Sequence, residues 1–205
     1  MAQRVIFHVD ANSAFLSWSA VYRLKVLGEK EDLREIPSVV AGDQENRRGI
    51  ILAKSGPAKK YGIQTGEPLF QALQKCPGLK VVPPDYPLYV EASRHFVEIL
   101  RQFSPCVEQY SIDEAWVDMT GTERLWGAPR LAAEAMRGRI NEELGFTVNI
   151  GISSNKLLAK MAGDFEKPNK VHTLFPEEVE AKMWPLPVRD LFLVGSATQA
   201  KLNRM

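Results

Sequence analysis

The chain has 205 residues, 45% of them hydrophobic and 25% charged, the composition of an ordinary globular protein with room for one or two domains. Its 26 basic and 25 acidic residues leave a net charge of +1, so bulk charge announces no nucleic-acid binder and only local clusters could. No apolar run approaches membrane-spanning length, Cys76 and Cys106 lack metal-type spacing, and a strand follows Met1 almost at once; the expected setting is a reduced cytoplasm, with no membrane partner and no signal peptide.

Residues 5–9 form a short apolar run ending at Asp10, the pattern of a buried strand. Phe15, Trp18, Val21 and Tyr22 follow at helical spacing. Residues 39–41 and 50–52 read as strands around a polar loop, 42–49. Residues 57–61 and 68–75 read as short helices, each with proline in its first turn, and 80–82 as another strand. A long helix is expected over 86–103, then a hairpin of 106–110 and 114–118. A helix over 129–144, a β-branched strand over 147–152, a helix over 155–165 capped by Ser153 or Ser154, and a strand over 171–175 complete the pattern. Beyond Pro176 only helical spacing remains.

Asp113 and Glu114 are adjacent acids in an apolar hairpin. Neighbours on a strand point to opposite faces, but a turn at the strand end lets both reach one site. Two such acids repel and are costly to desolvate, and a divalent cation removes that cost. Without the segment between Asp10 and about residue 84, the order is β-α-β-β-α-β, the ferredoxin-like pattern of an α+β fold. In that topology the first strand lies beside the hairpin, which brings Asp10 to Asp113 and Glu114. Three carboxylates at one spot suit hard cations, and two such ions roughly 3.5–4 Å apart can clamp a phosphoryl transfer. The plain alternative is a strand end and a solvated turn.

Four stretches carry a resemblance. They are His8-Val9-Asp10-Ala11-Asn12-Ser13-Ala14-Phe15, Tyr110-Ser111-Ile112-Asp113-Glu114-Ala115, and Gly151-Ile152-Ser153-Ser154-Asn155-Lys156 with Lys167-Pro168-Asn169. In this order and at these separations the chain resembles Y-family (translesion) DNA polymerases over essentially its whole length. The resemblance implies a ferredoxin-like palm with a small α/β fingers insertion and a partial helical thumb. Residues 1–13 and 85–175 would be palm, 14–84 fingers and 176–205 the start of a helix-hairpin-helix thumb. It implies template-directed addition of deoxynucleotides to a primer 3′-hydroxyl in DNA repair or damage tolerance. Asp10, Asp113 and Glu114, joined by the Ala11 carbonyl, would hold two Mg²⁺ ions. Phe15 falls on the steric-gate position, where an aromatic ring collides with a 2′-hydroxyl; by spacing alone it would be a core aromatic. Lys167 matches a lysine that reaches the triphosphate, and is otherwise an ordinary surface lysine. The implied partners are primer-template DNA and deoxynucleoside triphosphates, with a sliding clamp as a further candidate reached through a C-terminal part not in this sequence.

Three positions depart from the family. Gly56 and Lys59 stand where many members carry a Tyr and an Arg on the triphosphate. Lysine neutralises phosphate as a point charge, without the bidentate fork of arginine. Lys54 and Lys60 are candidates to share that grip, in a basic segment that also holds Arg47 and Arg48. Leu193 stands at the usual first hairpin glycine. The sequence stops inside the expected thumb, without the family's C-terminal little-finger domain, and is read as an N-terminal catalytic fragment. The competing functions are a palm-domain nucleotidyl cyclase and a non-catalytic polymerase-like accessory protein that binds DNA. The fingers and thumb argue against the first, and retention of all three acids argues against the second.

Overall fold

The computed structural model describes residues 4–42 and 49–204. Arg47, Arg48 and most of the expected polar loop lie outside the described residues. Along the chain, strand β1 (Ile6–Ala11) and helix α1 (Ala14–Lys25) precede β2 (Ser38–Ala41), β3 (Ile51–Lys54), α2 (Gly56–Lys60), α3 (Leu69–Lys75) and β4 (Lys80–Val82). Helix α4 (Tyr86–Phe103) leads to β5 (Val107–Gln109), β6 (Glu114–Asp118), a short α5 (Glu123–Trp126) that periodicity did not foretell, and α6 (Pro129–Leu144). Then come β7 (Val148–Ser153), α7 (Lys156–Asp164) and β8 (Val171–Thr173). Two short helices, α8 (Val179–Lys182) and α9 (Ser196–Leu202), alternate with 3₁₀ turns at Pro176–Glu178 and Val188–Asp190.

The chain divides into two compact units. One comprises Met1–Asp10, Phe96–Glu143 and Thr147–Met205, the other Ala11–His95 and Leu144–Phe146. The first holds a five-stranded sheet in the order β5-β6-β1-β7-β8. Its first four strands give the ferredoxin-like arrangement, with β1 beside the hairpin as expected. Strand β8 extends it, parallel to β7. The alternation of β-structure sorts the side chains. Phe7, Val9, Ala115 and Val117 are completely buried on one face. Burial of a side chain such as Phe7 or Val9 contributes about 1.5–3 kcal/mol. Ile6, His8 and Asp10 alternate onto the other face, where Ile6 and Trp116 pack on Ala159 of α7.

Helix α7 lies directly on β7. A Cβ on Gly151 would sit 1.9 Å from the Ala159 carbonyl oxygen and 2.4 Å from the Gly163 nitrogen, so only glycine lets the backbones approach this closely. The helix is capped by Asn155, whose side chain accepts from the Leu158 N–H at 2.9 Å. Neither Ser153 nor Ser154 caps it. Ser153 ends β7 with its hydroxyl turned to the Leu174 carbonyl at 2.5 Å, leaving Asn155 as the residue at the helix boundary. Helix α8 and the segment after it pack on α7, where Val179, Met183, Leu186, Leu191 and Phe192 gather around Met161, Ala162 and Leu174.

The second unit is built on a three-stranded sheet, β3-β2-β4, with β2 antiparallel to β3 and parallel to β4. Val39, Ala41, Ile51, Ala58, Ile63 and Leu69 form its core. Ser55 caps α2 by accepting from the Ala58 N–H at 3.0 Å and donates to the Ile36 carbonyl at 2.7 Å.

Candidate active site

Asp10 lies at the end of β1 and faces Glu114 directly across the antiparallel pairing with β6. Residues opposed in this way project to the same side of the sheet. Asp113 precedes β6 in the turn, released from strict alternation, and its Oδ1 accepts from the Ser111 hydroxyl at 2.6 Å. Its charge reaches Asp10 and adds to the forces that raise the Asp10 pKa.

The two facing carboxylates sit in different electrostatic settings. Burial raises the Asp10 carboxyl above its ordinary value, against the pull of Lys167, whose Nζ lies 2.8 Å from Oδ1. Lys167 also pairs with Asp164 at 3.0 Å; burial opposes its charge, but the two acids outweigh burial and raise its pKa. Burial also pushes Glu114 upward, yet hydrogen bonds from His8 and Lys160 prevail and bring it down to about 2. His8 Nε2 lies 2.9 Å and Lys160 Nζ 2.5 Å from the same oxygen, Oε2. His8 and Lys160 are 1% and 8% exposed, so these contacts operate away from bulk solvent screening. Among the described residues, no three His, Cys, Asp or Glu side chains already stand as a metal cluster. Carboxylate oxygens such as those of Asp10, Asp113 and Glu114 are of the kind that suits a hard cation.

The other expected residues belong to the second unit. Ala11 closes β1 and is buried. Phe15 stacks on Tyr89 with ring centroids 4.5 Å apart and planes 10° from parallel. Tyr86 and Trp18 meet its ring at an angle, at 6.5 and 6.0 Å. Lys59 is exposed in the last turn of α2. Burial, then the positive charge of Lys59, lower the pKa of Lys54 on β3. A Cβ on Gly56 would meet open space, so the site of the absent tyrosine is sterically free.

Residues 9–164 match the impB/mucB/samB family, and residues 176–205 match the IMS family HHH motif. The chain belongs to the impB/mucB/samB family. A relative named DNA polymerase IV, from Clostridium acetobutylicum, is 52% identical over 202 residues, covering 98% of this chain and 50% of that protein. The structure of DinB from Sulfolobus solfataricus is similar at a TM-score of 0.83 and 27% identity. A Y-family DNA polymerase chimera is similar at 0.84 and 26%. Each of these alignments covers 98% of this chain and 57% of the other. The Y-family resemblance is thereby borne out, as is the α+β fold. The chain spans about half the length of the curated relatives it matches.

Within the impB/mucB/samB chain, Leu193 has a backbone φ of 66°, the left-handed conformation that the usual hairpin glycine adopts freely. Two residues of the acid cluster escaped sequence reasoning. His8 stands two residues before Asp10, and strand alternation puts both on one face. Lys160 lies among the buried positions Ala159 and Met161 of α7, where a lysine needs a partner.

Proposed function

We propose that the chain is the catalytic part of a translesion DNA polymerase, adding deoxynucleotides to a primer 3′-hydroxyl on a DNA template. Family membership and the relative named DNA polymerase IV support the class of activity. The observation that carries the mechanism is the opposition of Asp10 and Glu114 across β1 and β6, with Asp113 beside them.

Asp10, Asp113, Glu114 and the Ala11 carbonyl are the oxygen donors that would hold two Mg²⁺ ions. Ions held by these donors would supply positive charge to the attacking oxygen and to the triphosphate. Glu114 is ionised well below neutral pH through His8 and Lys160, so it offers a full negative charge. Lys167 remains an ammonium and carries charge that a triphosphate could take over from Asp10. Phe15, backed by Tyr89, presents a ring braced against retreat, which is what exclusion of a 2′-hydroxyl requires. Lys59, with Lys54 close enough to feel its charge, supplies positive potential for phosphate in place of the Tyr and Arg of other members. Primer-template DNA and deoxynucleoside triphosphates are the substrates on this reading, and the cytoplasm its compartment. On this reading residues 1–13 and 85–175 are the palm, 14–84 the fingers and 176–205 the partial thumb. No helix among the described residues is long and apolar enough to cross a membrane.

In the full-length protein, Asp113→Ala should abolish extension of a labelled primer while leaving the melting temperature near wild type. Extension at the wild-type rate would overturn the mechanism.

A further inference from the structure

Glu114 is held by two donors from different elements. His8 comes from β1, diagonally across the strand pair, and Lys160 from α7. An ionised carboxylate only accepts, so the His8 ring donates through Nε2–H. Both donors meet Oε2, and among the described residues Oε1 accepts no hydrogen bond. His8 Nδ1 has no partner among the described residues. A Cβ on Gly163 would come within 3.4 Å of that nitrogen, so the ring is wedged between the strand and the helix backbone. The close approach of α7 to β7 at Gly151 sets this wedge and also delivers Lys160. A buried imidazole that leaves one nitrogen unsatisfied gives up solvation for a single directed contact.

We infer that His8 is a positioning residue, locking Oε2 of Glu114 so that Oε1 is aimed at a divalent cation. With the metal-binding reading of Asp10, Asp113 and Glu114 taken as given, His8 is the outer-shell partner of a ligand carboxylate. Such partners fix orientation, and their loss typically costs about 10–100-fold in metal affinity. Lys160 adds charge to the same oxygen, but its flexible stem and rotatable ammonium orient less than a ring fixed on a strand.

The test uses Mn²⁺ as the probe, titrated into the 205-residue chain and followed by the electron paramagnetic resonance of the free ion. No nucleotide or DNA is present, so the readout is binding and not turnover. His8→Gln and His8→Asn compare two amides of different reach. The glutamine amide nitrogen falls near the Nε2 position, whereas that of asparagine falls near Nδ1 and cannot meet Oε2. Both variants are assayed below their melting temperatures. His8→Asn should weaken Mn²⁺ binding by about tenfold or more, with His8→Gln close to wild type. Wild-type binding by His8→Asn, or equal losses in both variants, would overturn the positioning role. Asp113→Asn tests the metal reading separately. If it loses Mn²⁺ while His8→Asn does not, only the role of His8 fails. If Asp113→Asn binds as wild type does, the metal site itself fails and the role of His8 goes with it.

Discussion

Glu114 and Asp10 face each other on one sheet, yet their environments separate them. Burial acts on both in the same direction. It prevails at Asp10, where Lys167 is the counter-charge, and loses at Glu114, where His8 and Lys160 share one oxygen. A single residue also marks the end of the chain. Leu193 occupies the left-handed region, which costs a branched side chain about 1–2 kcal/mol, and it is 79% exposed with little packing to offset that cost. Leu193→Gly should stabilise the turn before α9 by about 1 kcal/mol after allowing for the greater freedom of unfolded glycine. Amide exchange of residues 191–202 should slow about fivefold. Unchanged or faster exchange would mean that the leucine is not strained there. Before any fold is known, strand alternation and topology already put Asp10 near the hairpin acids. They are silent on Lys160, which lies 46 residues from Glu114 and reaches it through helix packing alone.

Helix α7 and strand β7 form the element pair on which the site depends. Their contact is backbone to backbone, and Gly151 is the reason. Gly151→Ala would force a methyl group into the Ala159 carbonyl, a clash that no rotamer relieves. The expected cost is about 3 kcal/mol, read as a lower urea midpoint with an unchanged slope. A midpoint within error of wild type would show that the helix can move off the strand freely. The elements themselves were legible because their signals are local. Residues 86–103 and 129–144 were delimited by periodicity and proline, and α4 and α6 have those bounds. The cap of α7 lies one or two residues beyond the expected serines, since Ser153, Ser154 and Asn155 are all good capping types. Which one caps is decided by where β7 lets go, and Ser153 is claimed by Leu174.

Across the whole molecule, 26 cations nearly balance 25 anions, and many of the cations are already paired with acids. Among the described residues Lys167, Lys160 and Lys156 each meet a carboxylate, so these three have less charge to offer a DNA backbone. Affinity for duplex DNA falls with salt in proportion to the phosphates neutralised, with a log–log slope of about −0.9 per contact. This chain should therefore bind primer-template DNA more weakly, and with a shallower slope, than a protein of the full length of its curated relatives. Fluorescence anisotropy between about 50 and 200 mM salt measures both. Equal slopes would show that this chain already makes all the phosphate contacts.

By itself, the sequence determined the strands and helices, the ferredoxin-like order of the first sheet and the three acids that its motifs single out. These depend on periods of two and 3.6 residues and on the order of elements, which a linear chain carries in full. Only the tertiary structure decided what surrounds the acids. His8 meets Glu114 across 106 residues and Lys167 meets Asp10 across 157, and the bracing of Phe15 by Tyr89 is likewise a meeting of distant segments. Such contacts follow from how closely backbones approach and which side chains burial strips of water, and neither quantity exists until the chain has folded.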